Sequence, residues 1–252
     1  MAREIKERTD LPLADRNVSM SNALARTAQG LSLSEKRILA LGLAKTDSVS
    51  GGDAVLAQRH GGWIVRLLAD EYAESYDVTL DAAYQQLKSG AEHLFKREAR
   101  LVEKARRGQI VTRMHWCSKM VYHTGEGWVE LHFHHEVAPH LLALRKNFCT
   151  YKLKQAAALR SIYAWRLFEC LQSWKDKGVW HVSIEDFMHA MDVPASMKKD
   201  FGQLDRRVIK PAVEELRLHG DLEIEVEREK AGRKVRALLF RFKPNPQRSL
   251  AL

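Results

Sequence analysis

The chain repeats itself once. At an offset of 115 residues, Glu71-Tyr72 falls on Asp186-Phe187 and Asp77-Val78 falls on Asp192-Val193. Around these pairs each half runs through the same patterns: a strand, a short acidic-aromatic helix, a longer helix, then antiparallel strands with a basic turn. So long a period is not that of a stacked solenoid unit; it is what two copies of one small domain give.

The patterns themselves are explicit. Gly30 separates two helical segments in 21–45, and Ser32 and Glu35 have capping-box spacing ahead of Ile38, Leu39, Leu41 and Leu43. DSVSGGD (47–53) is a loop. WIVRL (63–67) is a strand and 69–78 a short helix. A longer helix over 79–95 puts Ala83, Leu87, Ala91 and Leu94 on one face. Strands follow at 98–104, 110–123 and 128–133, with a basic turn ARRGQ (105–109) and a turn TGEG (124–127). A last helix spans 135–147. In the second half, 159–175 is a core helix carrying Ile162, Trp165, Leu167, Phe168 and Leu171, followed by a strand (179–183) and a helix (184–193) that breaks at Pro194. A helix over 198–216 leads to strands 222–229 and 235–242, joined by KAGRK (230–234).

This order is the winged-helix plan, a helix-turn-helix followed by a β-hairpin wing. The expected fold class is α+β, with two tandem winged-helix domains. Residues 1–16, charged and aperiodic, form a flexible arm; the domains run over 17–147 and 148–252. In such a module the second helix of the pair enters the major groove and the wing tip reaches backbone or minor groove. Two modules cover roughly two successive turns of one DNA face, ~34 Å apart.

Charge agrees with a polyanionic partner. The 252 residues carry 41 Lys+Arg against 32 Asp+Glu, a net +9. Residues 1–143 hold 19 basic and 18 acidic side chains, and residues 144–252 hold 22 and 14, so the surplus sits in the second half. On the 198–216 helix, Lys199, Gln203, Arg206, Arg207 and Lys210 lie opposite an apolar face of Phe201, Leu204, Val208, Ile209, Ala212 and Leu216, and Lys198 at its start is a further candidate contact. Arg grips guanine O6 and N7, Gln grips adenine, and Lys neutralises phosphate. Pro211 either kinks this helix, having no N–H for the Arg207 carbonyl, or starts a new helical segment. Lys230, Arg233 and Lys234 in the following turn, with Arg236 beside it, form the candidate wing. A weaker version occurs in the first half: Gln85, Lys88 and Ser89 on the 79–95 helix, and Arg106 and Arg107 in the hairpin turn.

Other chemistry is poorly represented. Three widely spaced cysteines (Cys117, Cys149, Cys170) without a C-x-x-C pair fit a reducing cytoplasm and neither a disulfide framework nor a zinc knuckle. No apolar run approaches the ~18 residues of a membrane span, and the N-terminus lacks the apolar core of a secretion signal, so no membrane partner is expected. No G-x-x-x-x-G-K-[ST] loop occurs. A rolling-circle nicking enzyme would use a His-apolar-His metal pair and a tyrosine nucleophile. His132 and His134 would share a strand face, but no third ligand is evident and Tyr151 lies only 17 residues further on. The expectation is a non-enzymatic protein without metal or cofactor.

The segments 21–45, IYAWRLFECLQSW (162–174), VSIEDFMHAMDVP (182–194), LDRRVIKPAVEEL (204–216) and GRKVRALLFRF (232–242) together resemble the iteron-binding plasmid replication initiators of the F-plasmid type. The resemblance runs from about Val18 to Lys243 and implies two winged-helix domains. It places the stronger DNA contact in the C-terminal domain, through Arg206, Arg207 and the turn around Arg233. A second contact and a dimer interface fall to the N-terminal domain. It implies that monomers bind direct repeats in double-stranded origin DNA while dimers bind an inverted repeat and repress their own gene, in a bacterial cytoplasm. It also implies recruitment of the host chromosomal initiator and replicative helicase. Asp205 departs from the pattern, standing where a relative can have another arginine. The alternative is a dimeric winged-helix transcriptional regulator without a replication role. An array of ~20-base-pair direct repeats, about two helical turns each, beside the gene separates the first from the second.

Overall fold

The computed structural model describes residues 3–4, 11–46, 62–141 and 148–245. The chain divides into two units: Met1–Leu24 with Gln29–Ala157, and Ala25–Ala28 with Ala158–Leu252. The expected loop at 47–53 lies outside the described residues, as does most of the expected arm. Of that arm, Leu11–Arg16 is tied down: Leu13–Asp15 forms a 3-10 turn, Arg16 is buried with Nε donating to the Leu11 carbonyl, and Asp15 pairs with Lys154 at 3.1 Å.

In the first unit, β1 (Arg3–Glu4) and β2 (Asn17–Ser21) precede α1 (Asn22–Ala25) and α2 (Leu33–Lys45). The anticipated capping box starts α2: Ser32 Oγ accepts the Glu35 N–H, and the Glu35 carboxylate accepts the Ser32 N–H at 2.8 Å. Then come β3 (Trp63–Leu68), α3 (Ala69–Tyr76) and α4 (Leu80–Phe95), followed by β4 (Glu98–Lys104), β5 (Gln109–His115), β6 (Cys117–His123) and β7 (Trp128–Phe133). The sheet order is β1-β3-β7-β6, and stacked Trp63 and Phe133 rings, 4.2 Å apart, fix the β3–β7 register. The short helix α5 (Ala138–Leu141) occupies part of the expected 135–147 helix, whose residues 142–147 lie outside the described residues.

Two expectations about this unit change. The single strand anticipated over 110–123 breaks at Trp116. Its side chain is fully buried, its N–H donates to the Arg97 carbonyl, and its own carbonyl accepts from His134, so ladder pairing stops there. β4 and β5 consequently form a separate two-stranded sheet. The domain boundary also moves. β8 (Phe148–Lys152) pairs with β2, and α6 (Leu153–Ala157) follows it, so 148–157 belong to the first unit rather than the second.

The second unit contains α7 (Ile162–Gln172), β9 (Val179–Ser183), α8 (Ile184–Ala190), α9 (Phe201–Leu204), a π-turn (Asp205–Ile209), α10 (Lys210–His219), β10 (Leu222–Ala231) and β11 (Lys234–Pro244). Its sheet order is β10-β11-β9, and Trp180, Phe187 and Phe240 stack at its centre. The two members of the sequence repeat fold alike. Asp77 and Asp192, 115 residues apart, both end their short helix in the left-handed conformation, at φ 49° and 52°. By sheet position β3, β7 and β6 correspond to β9, β11 and β10.

Candidate nucleic-acid interface

The helix read over 198–216 begins later than expected. Asp200 caps it, its Oδ1 accepting from the Gly202 and Gln203 amides at 2.8 and 3.3 Å, so Lys198 and Lys199 stand in the turn before it. Past α9 the backbone widens into the π-turn, where the Lys210 N–H reaches the Asp205 carbonyl. Pro211, which has no N–H to give the Arg207 carbonyl, then opens α10 in the first turn. Both sequence readings of the proline describe part of this: the ladder is interrupted and a new segment starts. Leu204, Val208, Ile209, Ala212 and Leu216 are buried, whereas Arg206, Arg207 and Lys210 are exposed and Gln203 is half-buried.

The wing is the β10–β11 hairpin, closed by Gly232 (φ 62°) and Arg233. Alternation along β10 divides its faces. Leu222, Ile224 and Val226 lead on one side to Arg228, and the register with β11 shifts between Glu229 and Lys230. The other side carries Glu223, Glu227 and Glu229, which pair with Lys243 (2.8 Å), Arg241 (3.0 Å) and His181 (2.9 Å). These glutamates of β10 thus lie on the side away from the helix, each beside a basic side chain of another strand of the sheet. A groove of about 500 Å³ joins the wing to the start of the helix, lined by Lys198, Lys199, Asp200, Arg233, Lys234 and Arg236 among others. The structure thus brings together two groups of cations from segments over thirty residues apart, with Arg206, Arg207 and Lys210 exposed on the adjoining helix.

Arg228 escaped the sequence reading, which noted Asp205 only as a departure from the family pattern. Asp205 accepts from Arg228 Nη2 at 2.7 Å and lies 3.5 Å from Lys210 Nζ. The signal for Arg228 was its even-numbered register with Ile224 and Val226.

In the first unit Gln85, Lys88 and Ser89 are all exposed on α4, and Lys88 Nζ sits 4.9 Å above the Tyr122 ring. The hairpin packed beside α4 is β6–β7, and the hollow of about 210 Å³ between them is lined by Tyr84, Tyr122, His123 and Trp128. Arg106 and Arg107 are exposed at the tip of β4–β5, which is inserted between the helix and the true counterpart of the wing. That counterpart, the 124–127 turn, has no basic residue. The basic turn expected to match KAGRK therefore belongs to a different hairpin.

The histidines do not form a pair. His132 Nε2 donates to Glu130 Oε1 at 2.8 Å, and His134 lies past the end of β7, its ring 4.3 Å from that of His135. Partial burial pushes the Glu130 carboxyl up, but hydrogen bonds from His132 and Arg66 and their charges hold it below its ordinary value. Among the described residues no three His, Cys, Asp or Glu side chains converge as a metal site. Tyr151 is buried in β8. No described helix is long and apolar enough to cross a membrane.

A helix-turn-helix followed by a hairpin wing, made twice and basic at the tip in the second unit, defines a DNA-binding protein of the winged-helix class. Residues 17–172 match the family described as "Initiator Replication protein, WH1", and residues 183–242 match "Initiator Rep protein, WH2". The chain belongs to this family of replication initiators, which favours the initiator reading over that of a regulator without a replication role. It is 27% identical over 202 residues to an uncharacterised 27.6 kDa protein of Escherichia coli, covering 79% of this chain and 84% of that one. A probable replication protein of Bifidobacterium longum is 31% identical over 100 residues, which are 39% of this chain and 33% of the relative. The crystal structure of the Pi initiator protein in complex with iteron DNA superposes with a TM-score of 0.73 at 20% identity, over 92% of this chain and 99% of that one, a likeness of fold.

Proposed function

We propose that this protein starts plasmid replication by binding direct repeats at the origin as a monomer, without catalysing a reaction. The observation that carries this reading is the basic groove between the start of the recognition helix and the wing tip. Lys198, Lys199, Lys230, Arg233, Lys234 and Arg236 hold the phosphate backbone, while Gln203, Arg206, Arg207 and Lys210 face the major groove. The Pi initiator, similar in fold, is described in complex with iteron DNA.

The first unit adds a weaker contact through Gln85, Lys88 and Ser89, with Arg106 and Arg107 reaching backbone from the separate hairpin. That hairpin also supports self-association: Ile110 and Val111 are 55% and 45% exposed on β5, in a sheet of only two strands. A dimer made there binds an inverted repeat and represses the chain's own gene. The host chromosomal initiator and replicative helicase are the further partners, and a bacterial cytoplasm is the setting.

Replacing Arg206 and Arg207 together by alanine abolishes specific binding of the repeat in a gel-shift assay and leaves the circular dichroism spectrum intact; undiminished affinity refutes the helix assignment. A footprint on the replicon's own origin at two protein concentrations reads site size, repeat orientation and cooperativity. A lone palindrome, with no direct repeats protected, contradicts the initiator reading.

A further inference from the structure

One carboxylate bridges the helix and the wing on the candidate DNA-facing surface. Asp205 sits at the start of the π-turn with its side chain 15% exposed, between Arg228 on the helix-facing side of the wing and Lys210 on the next turn of the helix. Its Oδ1 accepts from Arg228 Nη2 at 2.7 Å and its Oδ2 lies 3.5 Å from Lys210 Nζ. Two cations of the candidate DNA-facing surface therefore have their charge offset by the protein itself. Beside them Arg206 and Arg207, exposed, are the residues placed to read base edges.

We propose that Asp205 is a specificity-determining residue: it withholds Arg228 and Lys210 from the phosphate backbone, so that stable binding depends on base contacts. This inference rests on the reading of the second unit as the main DNA contact. Attraction to phosphates is blind to sequence and supplies essentially all non-specific binding. On a repeat, the base contacts of Arg206 and Arg207 fix the register, and Arg228 and Lys210 reach only the phosphates that this register allows. On arbitrary DNA no register is imposed, and free cations settle on whichever phosphates are nearest. A carboxylate that occupies both cations therefore weakens arbitrary binding more than binding to the repeat. It also fixes the Arg228 side chain between helix and wing, which limits the poses available to both.

Asp205→Asn tests this, because the amide keeps the shape and an acceptor for Arg228 but removes the charge. The probes are a duplex carrying the repeat of the chain's own origin and a shuffled duplex of the same length and composition, each titrated across a salt series. The expected result is at least a roughly fivefold gain in affinity for the shuffled duplex. The slope of log affinity against log salt should steepen by about 1–2, as up to two cations each add about 0.9. The repeat should gain less, so the ratio of the two affinities falls. Arg228→Gln, which leaves the carboxylate with Lys210 alone, should weaken binding to the shuffled duplex, and the double variant should return close to wild type. An unchanged salt slope on the shuffled duplex overturns the proposal, and so does an unchanged ratio of affinities. A wild-type chain with no preference for its repeat overturns instead the reading on which the inference rests, and this is seen before any variant is compared.

Discussion

In the core of the second unit the Arg166 guanidinium, almost wholly buried, donates to the carbonyls of Ala25, Thr27 and Ala190 and pairs with the buried Glu169 carboxylate at 2.8 Å. Residues 25–28 are held in that unit by these bonds. Removing one partner of such a pair leaves the other charge buried and alone. Arg166→Ala should therefore destabilise the second unit by about 3–5 kcal/mol in urea unfolding, whereas Arg166→Met with Glu169→Leu should cost much less. His134 makes a prediction in pH. Its imidazole is held below the ordinary 6.5, first by burial and then by His135, with His115 adding and Glu136 opposing. As the folded value is depressed, the unfolded chain takes up the proton first. The stabilisation is fully present above 6.5 and is lost as pH falls through the folded value. The melting temperature should fall on acidification, and His134→Asn should remove part of that fall. The cysteines behave as core side chains: all three are buried, and burial pushes the Cys117 thiol up to about 12. A thiol reagent should leave the native chain unmodified and label it only once unfolded.

At the scale of the element, the first unit's wing depends on Gly127. Its φ is +67°, and an added Cβ would lie 2.1 Å from Tyr84 Oη on the helix beside it. Gly127→Ala thus combines overpacking with left-handed strain and should destabilise the first unit by about 2–4 kcal/mol, measured by thermal unfolding. Elements whose side chains agree with their period were legible: the Ser32–Glu35 box, the apolar face of α4 and the strand opening each repeat. The repeat was legible down to the backbone of Asp77 and Asp192. The break at Trp116 was hidden because residues on both sides of it favour strands, and only tertiary pairing sends them to different sheets. The same break inserts the Arg106–Arg107 hairpin, so order along the chain suggested a wing that topology puts elsewhere. On the recognition helix the buried face was correctly anticipated although the backbone was not. Leu204, Val208, Ala212 and Leu216 recur every fourth residue, wider than the 3.6 of an α-helix, and that spacing with Pro211 was the available sign of the π-turn. Asp200, a residue type that favours the N-cap, marked the true start and left Lys198 and Lys199 before it.

For the molecule as a whole, the uneven charge of the two halves predicts an uneven division of labour in the proposed binding. The second unit combines a basic groove with basic side chains on the recognition helix, while the matching turn in the first unit is uncharged apart from Glu126. Each phosphate neutralised contributes about −0.9 to the slope of log affinity against log salt. If the groove cations Lys198, Lys199, Arg233, Lys234 and Arg236 hold about five phosphates, they alone give a slope of about −4.5, and affinity falls several-hundred-fold between about 50 and 200 mM salt. Converting Lys230, Arg233 and Lys234 together to Gln should flatten the slope by nearly 3, with affinity for repeat and shuffled duplex falling in parallel, because the wing holds backbone. Converting Lys88 to Gln should flatten it by no more than about 1. A larger change from Lys88 than from the wing would place the main phosphate contact in the first unit and reverse the assignment.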